Sequence, residues 1–278
     1  MKHTVIKPET CQIVLGDSLD IMRKMPAGSV DLVVTSPPYN IGVQYRSVGD
    51  SRPRMEYLDW MEEIAVEIRR ILHPNGALFL NLASTSTDPW IADDVSARFR
   101  QHLVLQNRIG WIKSISVGGR THGHFKPINS KRFLNRTHEE VLHWSIRGDL
   151  EIDRLAVGVP YEDKGNIARW RHATADLRCG GNCWHIPYET VRNVSGKHGH
   201  PATFPLELPL RCLRMHGKTT GVVLDPFVGS GTTLVAAKQL GWHGIGIEID
   251  EVYAETARMR IAETQVVDEP RDLKDRVV

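Results

Sequence analysis

The sequence contains no apolar run approaching the roughly eighteen residues of a membrane span, and its start, MKHTVIKPET, has no apolar stretch of the secretory kind, so a cytoplasmic protein without membrane contact is expected. Cysteine is scarce. Four in 278 residues argue against a disulfide framework. Cys179, Cys183 and His185 could suggest a metal site, but CGGNC has a three-residue gap and no second pair follows, so free thiols and no metal are expected. There is no internal repeat or low-complexity tract. At 278 residues and 41% hydrophobic composition the chain suits one large α/β domain, or one domain with an inserted module.

Acidic residues are missing from one long interval. Between Val95 and His138 there is no Asp or Glu, whereas nine basic residues occur, among them Arg120, Lys126, Lys131, Arg132 and Arg136. In a chain of net charge +2 this is a one-signed segment. Such a run can be merely a solvated face. Its clustering with Gly118, Gly119, His122, Gly123 and His124 suggests instead a flexible basic loop near phosphates.

Apolar spacing organises the rest. QIVLGDSLDIMRKM reads as a short strand, a turn at Gly16 and Asp17, and a helix with Leu19, Met22 and Met25 on one face. In VDLVVTSPPYN a buried strand ends at Pro37 and Pro38, which cannot continue a ladder. Met55 to Leu72 has helical spacing; HPNG then reads as a stop before the strand ALFLNLA. LVLQNRIGWIK and EEVLHWSI read as strands flanking the basic loop, and residues 148–195 show no sustained period. After the helical pattern PLELPLRCLRMH, the segment from Gly221 lays out strand, glycine loop, helix, strand and helix, one complete βαβ unit.

In that unit Gly229 and Gly231 precede a helix opening at Thr232 and Thr233, so backbone N–H groups can approach a ligand closely. Glu248, about twenty residues on at the next strand's end, is placed to accept from a ribose diol. Asp225 at the first strand's end would repel a pyrophosphate but attract an amino group. A dinucleotide site would show a third glycine, and ATP would call for a Walker lysine. A structural glycine turn is the plainer reading. Ser36-Pro37-Pro38-Tyr39 sits at a strand's carboxyl edge, where open α/β sheets hold ligands. Its stiff turn can aim carbonyls at an NH2 group and offer Tyr39 for stacking a base, or it can simply close a strand.

Together, TSPPYN and DPFVGSGTT resemble the target-base and cofactor motifs of the beta group of S-adenosylmethionine-dependent DNA amino-methyltransferases, in that group's permuted order. The resemblance implies an α/β fold: a Rossmann-like methyltransferase sheet with helices on both faces and an inserted target recognition region. Residues 1–114 would form the catalytic half, 115–195 the recognition region and 196–278 the cofactor-binding half. It implies Ser36, Pro37, Pro38 and Tyr39 at the reacting base, with the Ser36 hydroxyl and Pro37 carbonyl accepting from the amine and Tyr39 stacking on it. Around S-adenosyl-L-methionine it implies Asp17 and Ser18 from GDSLD, Thr203, Phe204 and Pro205 from HPATFPLELP, then Asp225, Pro226, Phe227, Gly229, Ser230, Gly231, Thr232, Thr233, Glu248 and Ile249.

The partner implied is double-stranded DNA, with room for a homodimer and for a separately acting cognate restriction endonuclease; with no nuclease motif in the chain, modification without cleavage is expected. Arg120, Lys126, Lys131, Arg132, Arg136, Arg169, Arg171 and Arg178 are candidates for phosphate or guanine contacts, and Trp170 and Trp184 for stacking or wedging. Serine at the first motif position resembles cytosine-N4 enzymes, aspartate being commoner in adenine-N6 enzymes, so N4 of cytosine is the expected target and N6 of adenine the alternative. A non-catalytic nucleic-acid-binding protein and an RNA or small-molecule methyltransferase are the competing classes; the intact SPPY and GSG segments weigh against the first and the basic insertion against a small substrate.

Overall fold

The computed structural model describes residues 11–43, 46, 49–123, 129–169, 176–188 and 203–267. An eight-stranded sheet forms its centre, in the order β1 (Gln12–Leu15), β10 (His243–Glu248), β9 (Val222–Asp225), β2 (Val30–Thr35), β3 (Leu72–Leu82), β7 (His138–Ser145), β4 (Val104–Ile112) and β8 (Cys183–His185). Every pairing is parallel except those of β7, which runs antiparallel to both β3 and β4.

The period of two along the strands divides the core. Val33, Leu78 and Leu80 point to one face, against α1 (Ser18–Met22), α2 (Arg54–Ile71) and α3 (Ile91–Phe99). Their neighbours Leu32, Val34, Ala77 and Phe79 point to the other, against α5 (Glu207–Met215) and α6 (Thr232–Gln239). Strands covered on both faces explain the near-continuous apolar runs of the sequence. The last helix, α7 (Glu251–Glu263), packs on β1, β10 and α6. No helix of the described residues is long and apolar enough to cross a membrane.

HPNG behaves differently from the expected stop. The α2 helix does end at its edge, but β3 already starts at Leu72 and runs through it, the register with β2 jumping from Val30↔Leu72 to Leu32↔Ala77. The extra residues bulge from the strand, because β2 offers only Asp31 across from them. Residues 115–195 are likewise no single insertion. They hold β7 and β8, both in the main sheet, together with the small β5 (Ile115–Val117) and β6 (Arg120–His122) hairpin and the short α4 (Gly165–Arg169). Trp184, a candidate wedge, is buried on β8 and belongs to the core.

Asp31 fastens β2 to β9 at their amino ends: its carboxylate accepts from the Val222 amide at 2.9 Å and from Lys218. Burial works to raise this carboxyl's pKa, but the bonds from Lys218 and Val222 and the charges of Lys218 and His73 hold it below the usual carboxylate range. A depressed acid stabilises the fold above its unfolded pKa and loses that contribution as pH falls through the folded one. Asp31→Asn should therefore cost about 1–2 kcal/mol at pH 7, a difference that shrinks below about pH 4. Urea denaturation at both pH values tests this, and an equal gap at both would refute the ionic account.

Candidate active site

The sheet order creates a crevice. From β2 the chain crosses through α2 to β3 on one side, and from β9 it crosses through α6 to β10 on the other, so the carboxyl ends of adjacent β2 and β9 mark a topological switch point. Both carry motif residues. Tyr39 and Gly229 line the same cavity, of about 710 Å³.

At the β9 end the motif is locked to the sheet. Asp225, buried, accepts from the Thr35 hydroxyl at 2.7 Å, the Thr233 hydroxyl at 2.6 Å and the Phe227 amide at 3.1 Å. Burial pushes its carboxyl up to about 6 despite these bonds. Gly229 (φ 51°) and Gly231 (φ 86°) take left-handed conformations that deliver the loop into α6, and a Cβ on Gly231 would stand 2.9 Å from that of Ala257 on α7. Arg260 of α7 ties the loop further through Ser230 and Thr232. Glu248 accepts from the amides of Gly229, Ile249 and Asp250 at 2.9–3.0 Å, and its carboxyl is raised because burial outweighs those bonds. Asp17 caps α1 through the amides of Leu19 and Asp20, and Ser18 donates to the Pro226 carbonyl at 2.5 Å, joining this loop to the glycine segment.

At the β2 end the SPPY turn is braced from several sides. The Tyr57 hydroxyl donates to the Pro38 carbonyl at 2.8 Å, so that carbonyl is engaged within the scaffold. Asn40 has φ 59°, a conformation asparagine tolerates, and exchanges bonds with Arg52. Asp50, buried, accepts from the amides of Asn40, Ile41 and Val43. Half-buried Ser36 and Tyr39 share a hydroxyl–hydroxyl bond of 2.8 Å. Asn81, at the end of β3, donates to Tyr39 Oη and to Glu139 Oε2, each at 2.8 Å, and Lys113 donates to Glu139 Oε1 at 2.6 Å. Burial, then the Glu139 charge, push the Tyr39 phenol well above its usual value, so it stays protonated. Tyr57, Trp60 and Phe227 form an aromatic wall between the two ends, with Trp60 and Phe227 ring centroids 5.5 Å apart.

All four SPPY residues line the cavity, as do Asp17, Ser18, Thr203, Phe204, Asp225, Pro226, Phe227, Gly229, Ser230, Thr232, Glu248 and Ile249. Pro205, Gly231 and Thr233 do not line it; Thr233 is fully buried and serves Asp225. Of the basic candidates among the described residues only Arg136 reaches the rim, where it donates to the Ser84 carbonyl. Arg120, Lys131, Arg132, Arg169 and Arg178 are exposed elsewhere, and Lys126, Trp170 and Arg171 lie outside the described residues. The four cysteines are free thiols. Asn81, Glu139, Thr35, Tyr57 and Asp50 went unnoticed in the sequence. Only Asn81, a polar residue inside the apolar run ALFLNLA, carried a signal there.

Residues 30–259 match the N6_N4_Mtase family of DNA methylases. The type II methyltransferase M.ScaI of Streptomyces caespitosus is 32% identical over 289 residues, covering 95% of this chain and 87% of its own. M.BglII of Bacillus subtilis, also a type II methyltransferase, is 30% identical over 262 residues, 88% of this chain and 67% of its own. Among solved structures, TTHA0409 of Thermus thermophilus, assigned as a DNA modification methylase and complexed with S-adenosyl-L-methionine, superposes with a TM-score of 0.62 at 26% identity, over 94% of this chain and 99% of its own.

A raised buried acid favours the fold most when protonated: its contribution is present below the unfolded pKa and lost as pH rises through about 6. Relative to an Asp225→Asn variant, the native chain should gain thermal stability between pH 7 and pH 5. A gap that is constant or moves the other way would contradict the burial of an ionised Asp225.

Proposed function

The chain belongs to the N6/N4 family of DNA methylases, and from that premise we propose that it transfers a methyl group from S-adenosyl-L-methionine to N4 of cytosine in double-stranded DNA. The observation that carries this reading is the single cavity shared by the SPPY turn and the glycine loop.

The donor set fits the cofactor. Asp225 supplies negative charge for an ammonium group, Glu248 a carboxylate at the end of β10 for a ribose diol, and Phe227 and Ile249 apolar surface for a flat ring, all on the cavity wall. Bound there, S-adenosyl-L-methionine supplies an electrophilic methyl group. The SPPY end does the rest. An exocyclic amine is a weak nucleophile because its lone pair is delocalised into the ring, and acceptors that hold its hydrogens draw the nitrogen toward tetrahedral geometry. Ser36 Oγ and the Pro37 carbonyl are those acceptors, and Tyr39 is the platform for a base extruded from the duplex. The stretches on either side of β7, within residues 115–195, form the recognition region, with Arg120, Lys131, Arg132 and Arg136 meeting phosphates or guanine edges. The preference for cytosine rests on the neutral serine at the first motif position.

Digestion of methylated DNA to nucleosides tests the reading directly: N4-methylcytosine is expected, N6-methyladenine would overturn the choice of base, and no methylated base would overturn the function. Ser36→Ala should lower turnover about a hundredfold or more while leaving cofactor affinity within about twofold; the reverse pattern would move Ser36 to the cofactor end. Replacing Lys131 and Arg132 together by alanine should flatten the slope of log affinity for DNA against log salt by about 2. An unchanged slope would take both residues off the backbone.

A further inference from the structure

We propose that Glu139 is a positioning residue for the transfer: acting through Tyr39, it holds the Ser36 hydroxyl as an acceptor toward the amine and receives the proton that the methylated amine sheds. This rests on the reading of Ser36 as the amine's acceptor.

The directions of the hydrogen bonds carry the argument. A carboxylate can only accept. Asn81 spends its two amide hydrogens on Glu139 Oε2 and Tyr39 Oη, each at 2.8 Å, and only grazes Ser36 Oγ at 3.5 Å. The Tyr39 hydroxyl then has two acceptors of its own, Glu139 Oε2 and the main-chain carbonyl of Asn81, each at 3.3 Å, and neither can donate back. The charged one is the stronger acceptor and attracts the tyrosine proton. The 2.8 Å bond between Tyr39 and Ser36 is thereby made with the serine's hydrogen, which leaves the Ser36 lone pairs open to the cavity. A glutamine at 139 could donate to Tyr39, reverse the chain and present the amine with a hydrogen instead.

The same chain conducts a proton. Once the carbon–nitrogen bond has formed, the nitrogen is positive and one N–H bond must break. Its proton passes to Ser36 Oγ as the serine's own passes to Tyr39 Oη and the tyrosine's to Glu139 Oε2. Both hydroxyls end neutral, the amine regains its lone pair and the carboxylate becomes a carboxylic acid. Glu139 lines the cavity and returns this proton to solvent between turnovers. Among the described residues the charged or titratable groups facing it are Lys113, just past the end of β4, and Tyr39 from the SPPY turn, while β3 presents Asn81; Glu140, next on β7, pairs with Arg108. Side-chain exposures of 21% for Lys113 and 14% for Glu139 keep the pair out of bulk water, and the 2.6 Å contact fixes the carboxylate's orientation toward Tyr39.

The test is single-turnover methylation of duplex DNA across pH 6–9 by the native chain, Glu139→Gln and Glu139→Asp, with cofactor and DNA affinities measured separately. Glu139→Gln should transfer about a hundredfold more slowly at pH 7 with both affinities within about twofold. Its rate should climb with pH, as hydroxide takes over the proton, more steeply than the native rate does. Glu139→Asp should recover part of the loss. Because Glu139→Gln leaves Lys113 unpaired and could disturb folding, the double variant Glu139→Gln, Lys113→Met carries two neutral partners and should show the same deficit and the same pH profile. A native rate in Glu139→Gln, or a loss confined to binding with an unaltered profile, overturns this inference and leaves the proposed function intact. A native chain that methylates no DNA overturns both.

Discussion

Three side chains set the geometry on which the site depends. Thr35 ends β2, Asp225 ends β9 and Thr233 lies in the first turn of α6, and the two threonine hydroxyls hold one buried carboxylate between them. Parallel pairing alone brings Leu32 beside Val223 and Val33 beside Leu224. It does not fix where the chain goes beyond the last paired residues, and both motifs lie beyond. The clamp supplies that: with Asp225 held from both sides, the glycine loop and the SPPY turn leave the sheet with a defined offset. Its cost is a carboxylate kept from water, and the pKa of about 6 records how nearly the hydroxyls balance that cost.

The two ends of the cavity are stiffened by different means, suited to different tasks. Around Glu248 and Asp17 the bracing is carboxylate to backbone amide, which leaves acidic oxygens near a ligand rich in donors. Around Ser36 it is a chain of neutral hydroxyls closed by one amide and one ion pair. A free carboxylate in the place of Ser36 would be a stronger acceptor than a hydroxyl. Here the Glu139 carboxylate stands two hydrogen bonds from the Ser36 hydroxyl, so its polarity reaches the serine while its bulk and hydration do not.

The strands, the βαβ unit and both motifs could be read from the sequence because each rests on a local rule: periods of two and 3.6, proline as a ladder breaker, glycine where φ is positive. What could not be read is whatever depends on register. HPNG looks like a stop until its bulge against Asp31 is seen, since a bulge is a property of two strands. Thr233 reads as a helix-opening residue facing the ligand, yet the helix phase turns it inward to Asp225. Glu139 and Lys113 do not stand out among the charges of the chain. They meet only because antiparallel pairing of β4 with β7 sets Trp111 across from Glu139, and Lys113, two residues on from Trp111, lies on the same face and diagonal to it.

That antiparallel strand also settles where the basic segment lies. The chain leaves β4 at the carboxyl edge of the sheet, the edge that holds both motifs, and β7 begins at that same edge because it runs the other way. The connection between them therefore begins and ends on the side of the SPPY turn, and Phe133, Leu134, Asn135 and Arg136 reach the cavity rim. Had β7 been parallel, the chain would have had to cross to the opposite edge before entering it, with half of the connection spent on the return. One reversed strand thus brings Phe133, Leu134, Asn135 and Arg136 back to the SPPY end of the cavity, while the end nearer Glu248, on the far side of β9, is left to the short loops of the βαβ unit.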